Sequence, residues 1–229
     1  MEDFHDDMGQ FAYFGLQKRW KGCVDLETHT SNIIELLVSG NGMPLTKSGY
    51  KDLWVTSVKV YLLPDIYKPF PVAVSYGRHQ PYSAESYLEN FIQDLNNLLE
   101  NGIEISDRHY EVRLKCFICD TPARAYFKGT AGHTGRYACE RCTVRGRKGN
   151  VGSTVYPTFD SQERTDGSFR EMRQREHHKL SSPLLNINPP INMISSFVLD
   201  FMHHCLGVMK SLMEWWFDGD LNVRFSARM

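Results

Sequence analysis

Between Leu53 and Cys119 the spacing of apolar residues changes from a period of two to a period of about 3.6 and back again. That switch constrains the fold more than any other feature of the chain. Leu53, Val55, Val58, Val60 and Leu62 alternate as far as Pro64, with a slip near Ser57 that predicts a bulge. Phe70 to Tyr76, between Pro69 and Gly77, reads as a further short strand. Tyr87, Leu88, Phe91, Ile92, Leu95, Leu98 and Leu99 then fall at helical spacing, with Ser83 placed as N-cap and Asn101-Gly102 as the stop. Tyr110, Val112, Leu114, Cys116 and Ile118 alternate once more, and Asp120 follows directly. A helix that crosses between strands places the strand after it parallel to an earlier one. The earliest is the run Ile33–Val38, which Ser-Gly-Asn-Gly follows as an expected turn. Three strands, a helix and a strand open an α/β layered fold, and an acid at the end of the last strand belongs on the lip of its sheet.

The remainder is organised around cysteines and charge. Cys139-x-x-Cys142 lets two thiolates close on one ion from a single turn, which points to half of a tetrahedral zinc site. His177 and His178 are the expected further ligands, with His133, His203, His204, Cys116 and Cys119 in reserve. Cys116 and Cys119 lie on an apolar strand and read as buried thiols. The whole chain is nearly neutral, with 26 basic and 27 acidic residues. Even so, Arg124, Lys128, Arg136, Arg141, Arg145, Arg147 and Lys148 stand against Glu140 alone, a basic patch suited to weak contact with DNA phosphates or equally a solvated loop. The acidic start (Glu2, Asp3, Asp6, Asp7) lacks the order of a secretory signal, so the six cysteines are expected to be reduced and the protein intracellular. No apolar run is long enough for a membrane, so no membrane partner is expected.

Two-metal phosphoryl transfer needs two or three carboxylates converging on Mg²⁺. Asp120 is one candidate. Asp200 is another, although an Asp before an apolar helix also serves as a plain N-cap. The turn after the first strand holds Asn41, whose neutral amide brings no charge to Mg²⁺. Neither a Gly-x-Ser-x-Gly elbow nor a phosphate-binding glycine loop occurs, which argues against nucleophilic catalysis and P-loop chemistry.

From about Ile34 to Gly219 the motifs GNGMPLTKS, NNLLENGI, ICDTPARAYFKGTAGHTGRYACERCTVRG, RTDGSFR, HH, SPLL and LDFMHHCLGVMKSL occur in this order. In them the chain resembles the catalytic core of CACTA-type (En/Spm-like) DNA transposases, in the metazoan transposase-domain form. The resemblance implies an α/β, RNase H-like mixed sheet with a zinc-binding, loop-rich insertion, and cut-and-paste transposition in the nucleus with Mg²⁺. It places the second catalytic acid on Asp120, the first on Asn41, the Cys-x-x-Cys on Cys139 and Cys142, and an Asp-x-x-His on Asp200 and His203. The third acid has no counterpart, so the chain is expected to be C-terminally truncated and not catalytically competent by itself. The implied division is a poorly defined remnant over 1–30, the first part of the core over 31–128, the Cys/His insertion over 129–192 and a helical continuation over 193–229. A zinc-stabilised module that binds DNA or protein through Arg136, Arg141, Arg145, Arg147 and Lys148, without enzymatic activity, is the competing expectation.

Overall fold

Strand β2 (Ile33–Pro44) alternates Ile34, Leu36 and Val38, all fully buried, with half-buried residues, and this one-sided pattern seats it inside a sheet. The computed structural model describes residues 9–17, 24–25, 27–45, 51–149, 154–158, 160–201 and 206–219. β2 pairs antiparallel with β3 (Asp52–Tyr61), which pairs antiparallel with β4 (Phe70–Gly77). The β3–β4 register shifts between Thr56 and Ser57, where the sequence predicted a slip. Helix α1 (Ala84–Asn101) follows, and its start and stop are as expected. The Ser83 side chain accepts from the Ser86 N–H at 3.2 Å, and Gly102 adopts φ 65° while donating to the Leu98 carbonyl. Tyr87, Leu88, Phe91, Ile92, Leu95 and Leu98 are buried on one face of α1, each contributing on the order of 2 kcal/mol.

After the short strand β5 (Ile103–Ile105), strand β6 (Arg108–Cys119) returns alongside β2 in parallel. The crossover therefore gives the parallel pair that the change of period implies. The strand order is β1-β4-β3-β2-β6-β5, where β1 is Gln10–Tyr13, and β9 (Phe197–Leu199) also pairs with β6. The architecture is mixed α/β around a central mixed sheet. The segment up to residue 30 supplies β1, which is tied down where the Tyr13 hydroxyl donates to Asp94 on α1 at 2.6 Å.

Two details differ from the sequence reading. Leu36 pairs with Leu114 but Leu37 with Cys116, so Lys115 is an extra residue in β6. This bulge moves the inward face from even to odd positions: Tyr110 and Val112 are buried before it, Phe117 and Cys119 after it. Cys116 is only half-buried, and Lys115 reaches Glu35 at 2.9 Å. Gly40 and Gly42, expected in a turn, remain inside β2. A Cβ on Gly40 would lie 2.5 Å from the Phe127 ring, and one on Gly42 2.8 Å from the Trp54 indole. These glycines admit aromatic rings against the backbone rather than reversing the chain.

Helix α2 (Thr121–Lys128) begins at Asp120 and ends at Gly129, in the left-handed conformation at φ 64°. The described residues between 129 and 196 carry little regular structure. They include the hairpin β7 (Arg147–Lys148) with β8 (Thr154–Val155), the short helix α3 (Asp166–Arg170) and two 3₁₀ turns at Arg175–His177 and Pro183–Asn186. The chain divides into two compact units, Met1–Val198 and Leu199–Met229. The second contains helix α4 (Gly207–Asp218), whose C-cap is Gly219. No described helix is long and apolar enough to cross a membrane.

Candidate functional site

Asp120 stands where β6 ends and α2 begins, and it is buried, 8 % exposed. Both carboxylate oxygens accept backbone hydrogen bonds. Oδ1 accepts from the Ala123 N–H at 2.7 Å, which caps α2, and Oδ2 accepts from the Gly42 N–H at 3.1 Å. The Asp120 N–H in turn donates to the Gly40 carbonyl at 3.3 Å. The parallel ladder stops at Gly40 opposite Cys119, which leaves the Gly42 N–H for a side chain to satisfy. Asp120 thus fastens the end of β2 to the end of β6. Asn41, half-buried and opposite Val55 of β3, lies between the two glycines of this clamp. The fold therefore joins the two positions that the sequence singled out 79 residues apart (120 − 41 = 79). It also gives the Asp120 carboxylate a structural duty. Asp200 belongs to the second unit, and His203 lies outside the described residues.

Cys139 and Cys142 form a compact knuckle. Their Sγ atoms lie 3.3 Å apart without a disulfide, and the Cys142 N–H donates to the Cys139 sulfur at 3.4 Å. Tetrahedral zinc with bonds of about 2.3 Å separates two thiolates by about 3.8 Å, so a small outward movement of the sulfurs fits one ion. Burial pushes the Cys142 thiol up, while a backbone hydrogen bond at Val144 and the Arg164 guanidinium oppose that shift. Arg164 is itself buried and held to the Cys139 carbonyl at 2.9 Å and to Gln174. The sulfurs line a pocket of about 290 Å³ together with His133, Val144, Tyr156 and Thr158.

His177 and His178, the ligands expected first, do not join this pair. Among the described residues no three His, Cys, Asp or Glu side chains gather as a metal-holding group. His177 is fully buried, and its Nδ1 donates to the Tyr137 carbonyl at 2.6 Å. That bond fixes the tautomer and leaves Nε2 as a sealed acceptor with no hydrogen-bond partner among the described residues. Burial pushes its pKa down to about 4. His178 packs edge-on against Phe169 at 4.7 Å, and burial lowers its pKa as well. His133, a reserve ligand in the sequence, is the histidine that shares the cysteine pocket; its signal is the short spacing to Cys139.

The basic run splits into inward and outward sets. Lys128 is 1 % exposed, paired with Glu140, and lies 5.2 and 5.1 Å from the Phe169 and Phe197 ring centroids. Burial works against the Glu140 carboxylate, but the Lys128 ammonium outweighs it and holds the Glu140 pKa below its usual value. Arg141 donates to the carbonyls of Ile194 at 2.7 Å and Phe197 at 2.6 Å, which ties the insertion to the strand beside β6. Arg136, Arg145, Arg147 and Lys148 are exposed, the last two forming β7. All five residues expected on DNA are exposed, and Arg141 alone of them donates to backbone carbonyls among the described residues. No protein-family model matches the chain, and no curated protein sequence matches it.

Proposed function

We propose that this chain is an RNase H-like core of transposase descent that binds DNA and does not cleave it unaided. The observation that carries the reading is the meeting of Asn41 and Asp120 at the adjoining ends of the parallel strands β2 and β6. Order supports it too: three antiparallel strands, a helical crossover, a parallel partner beside the first strand and a further strand beyond that. Ligands in open α/β sheets bind at the carboxyl ends of such strands. Here that position holds one carboxylate, already accepting two N–H groups, beside a neutral amide. Paired Mg²⁺ ions need more negative charge than this. The outward residues Arg136, Arg145, Arg147 and Lys148 are suited to sequence-tolerant phosphate contact, and the resemblance to transposases favours the nucleus.

Zinc belongs to the same proposal. Cys139 and Cys142 would hold it, with His133 the nearest additional donor in their pocket, and its contribution would be structural, bracing the loop that carries the basic hairpin. The test is to incubate the purified chain with supercoiled DNA and Mg²⁺ or Mn²⁺, and separately to measure DNA binding by fluorescence anisotropy. Binding that weakens steeply with salt, without nicking, is expected. Metal-dependent nicking abolished by Asp120→Ala would overturn the non-catalytic part, and no binding at low salt would overturn the rest.

A further inference from the structure

Three basic side chains are buried among the described residues: Arg124, Lys128 and Arg164. Lys128 is paired with Glu140, and Arg164 is bonded to the Cys139 carbonyl and the Gln174 amide oxygen. Arg124, 8 % exposed, has no side-chain hydrogen bond or ion pair among the described residues, and its Nε is sealed from solvent. Of its guanidinium nitrogens only Nε is sealed in this way, so the terminal nitrogens keep some contact with solvent. A buried guanidinium that no hydrogen bond satisfies is costly even with an acid such as Glu140 acting on it from beyond contact, and a fold tolerates it where something else satisfies it.

The surroundings indicate the sign and the place. Arg124 is one turn into α2, its backbone N–H bonded to the Asp120 carbonyl at 2.9 Å, so its backbone stands one turn from the strand-end junction of Asn41 and Asp120. Its charge, like that of Arg141, acts on Lys128, and Glu140 is the acid set against these three cations. A planar fork with open tips and an excess of positive charge fits a tetrahedral oxyanion, for which arginine supplies paired donors.

We propose that Arg124 anchors a phosphate-binding site at the β6–α2 junction, and that its occupant is a phosphodiester of bound DNA. The DNA half of this statement rests on the function proposed above; the oxyanion half does not. The exposed Arg145, Arg147 and Lys148 give a polyanion further contacts, which favours a nucleic-acid strand over an isolated anion.

The test uses the full chain, with inorganic phosphate and a short DNA duplex as probes. Phosphate should raise the melting temperature of the unmutated protein above a chloride control at equal ionic strength. Arg124→Met should lose that increment and, with the unpaired charge removed, melt no lower than the parent without phosphate. The same variant should bind DNA about tenfold more weakly, with the salt slope reduced by about one. Phosphate should also shift the Arg124 Nε–Hε NMR resonance of the unmutated protein, a readout that stands even if the variant does not fold. An equal phosphate increment in both proteins, or an unmoved Arg124 resonance, overturns the site. Arg124-dependent phosphate binding without DNA binding keeps the oxyanion site and removes its DNA occupant together with the proposed function. DNA binding unaffected by Arg124→Met removes DNA as the occupant of the site and leaves the proposed function standing.

Discussion

Replacing Asp120 with alanine separates a structural carboxylate from a catalytic one. Two backbone donors lose their acceptor: the Ala123 N–H in the first turn of α2 and the Gly42 N–H beyond the end of the parallel ladder. Loss of an N-cap costs about 1 kcal/mol, and leaving a buried donor of a charge-assisted bond unsatisfied costs about 2 kcal/mol more. The sum is about 3 kcal/mol. That is a large part of the stability of a domain this size, which is of order 10 kcal/mol. Asp120→Asn should cost about 1 kcal/mol, because an amide oxygen caps as well as a carboxylate while its NH₂ cannot accept from Gly42. Urea unfolding followed by tryptophan fluorescence reads both, as a lower midpoint at constant slope. A site evolved for catalysis commonly becomes more stable when its carboxylate is removed. An Asp120→Ala protein as stable as the parent, or more so, would therefore refute the clamp and restore Asp120 to a solvent- or metal-facing role.

Three more outcomes follow from the same geometry. Protein purified under reducing conditions should carry about one zinc per chain, lost on Cys139→Ser with Cys142→Ser and diminished on His133→Ala; an elemental analysis without zinc refutes the knuckle. Glutamate at Arg145, Arg147 and Lys148 should weaken DNA binding on every sequence alike, whereas Arg141→Ala should lower stability by about 1–2 kcal/mol through its two lost carbonyl contacts. Equal effects of the two changes on binding would show that the carbonyl-bonded Arg141 does not differ from the other exposed basic residues. His177 has its pKa near 4 when folded, against about 6.5 when unfolded. The unfolded chain thus binds more protons between those values, and stability that is complete above about pH 6.5 is lost toward about pH 4, by up to about 3 kcal/mol. A pH–stability profile that His177→Gln leaves unchanged would exclude this histidine as the cause.

What the sequence discloses and what it hides have physical reasons. The helix from Ser83 to Gly102 was legible because caps and apolar period are local signals, and a parallel partner for β6 among the earlier strands was legible because a helical crossover implies one, although which strand it would be was not. Lys115 was not, since one extra residue in a strand costs the sequence no visible punctuation and shows only against the ladder of its neighbour. Its effect reaches the candidate site: the bulge turns Phe117 and Cys119 inward, with Phe117 stacked on Phe197 at 4.9 Å and Cys119 against Gly40. Gly40 and Gly42 carry the same ambiguity. A glycine permits a turn, and it equally permits an aromatic ring to lie on the backbone; choosing between them needs Phe127, 87 residues further on (127 − 40 = 87). Arg141 and Arg147 look alike as members of a basic run, yet carbonyls from residues 194 and 197 claim only the first. Charge in a sequence is thus a count of possible contacts. Arg124 shows that some of that charge is neither solvated surface nor paired core. It sits in the second turn of α2 with its Nε sealed and unbonded among the described residues, and an arriving phosphate would supply the hydrogen-bond acceptor it lacks.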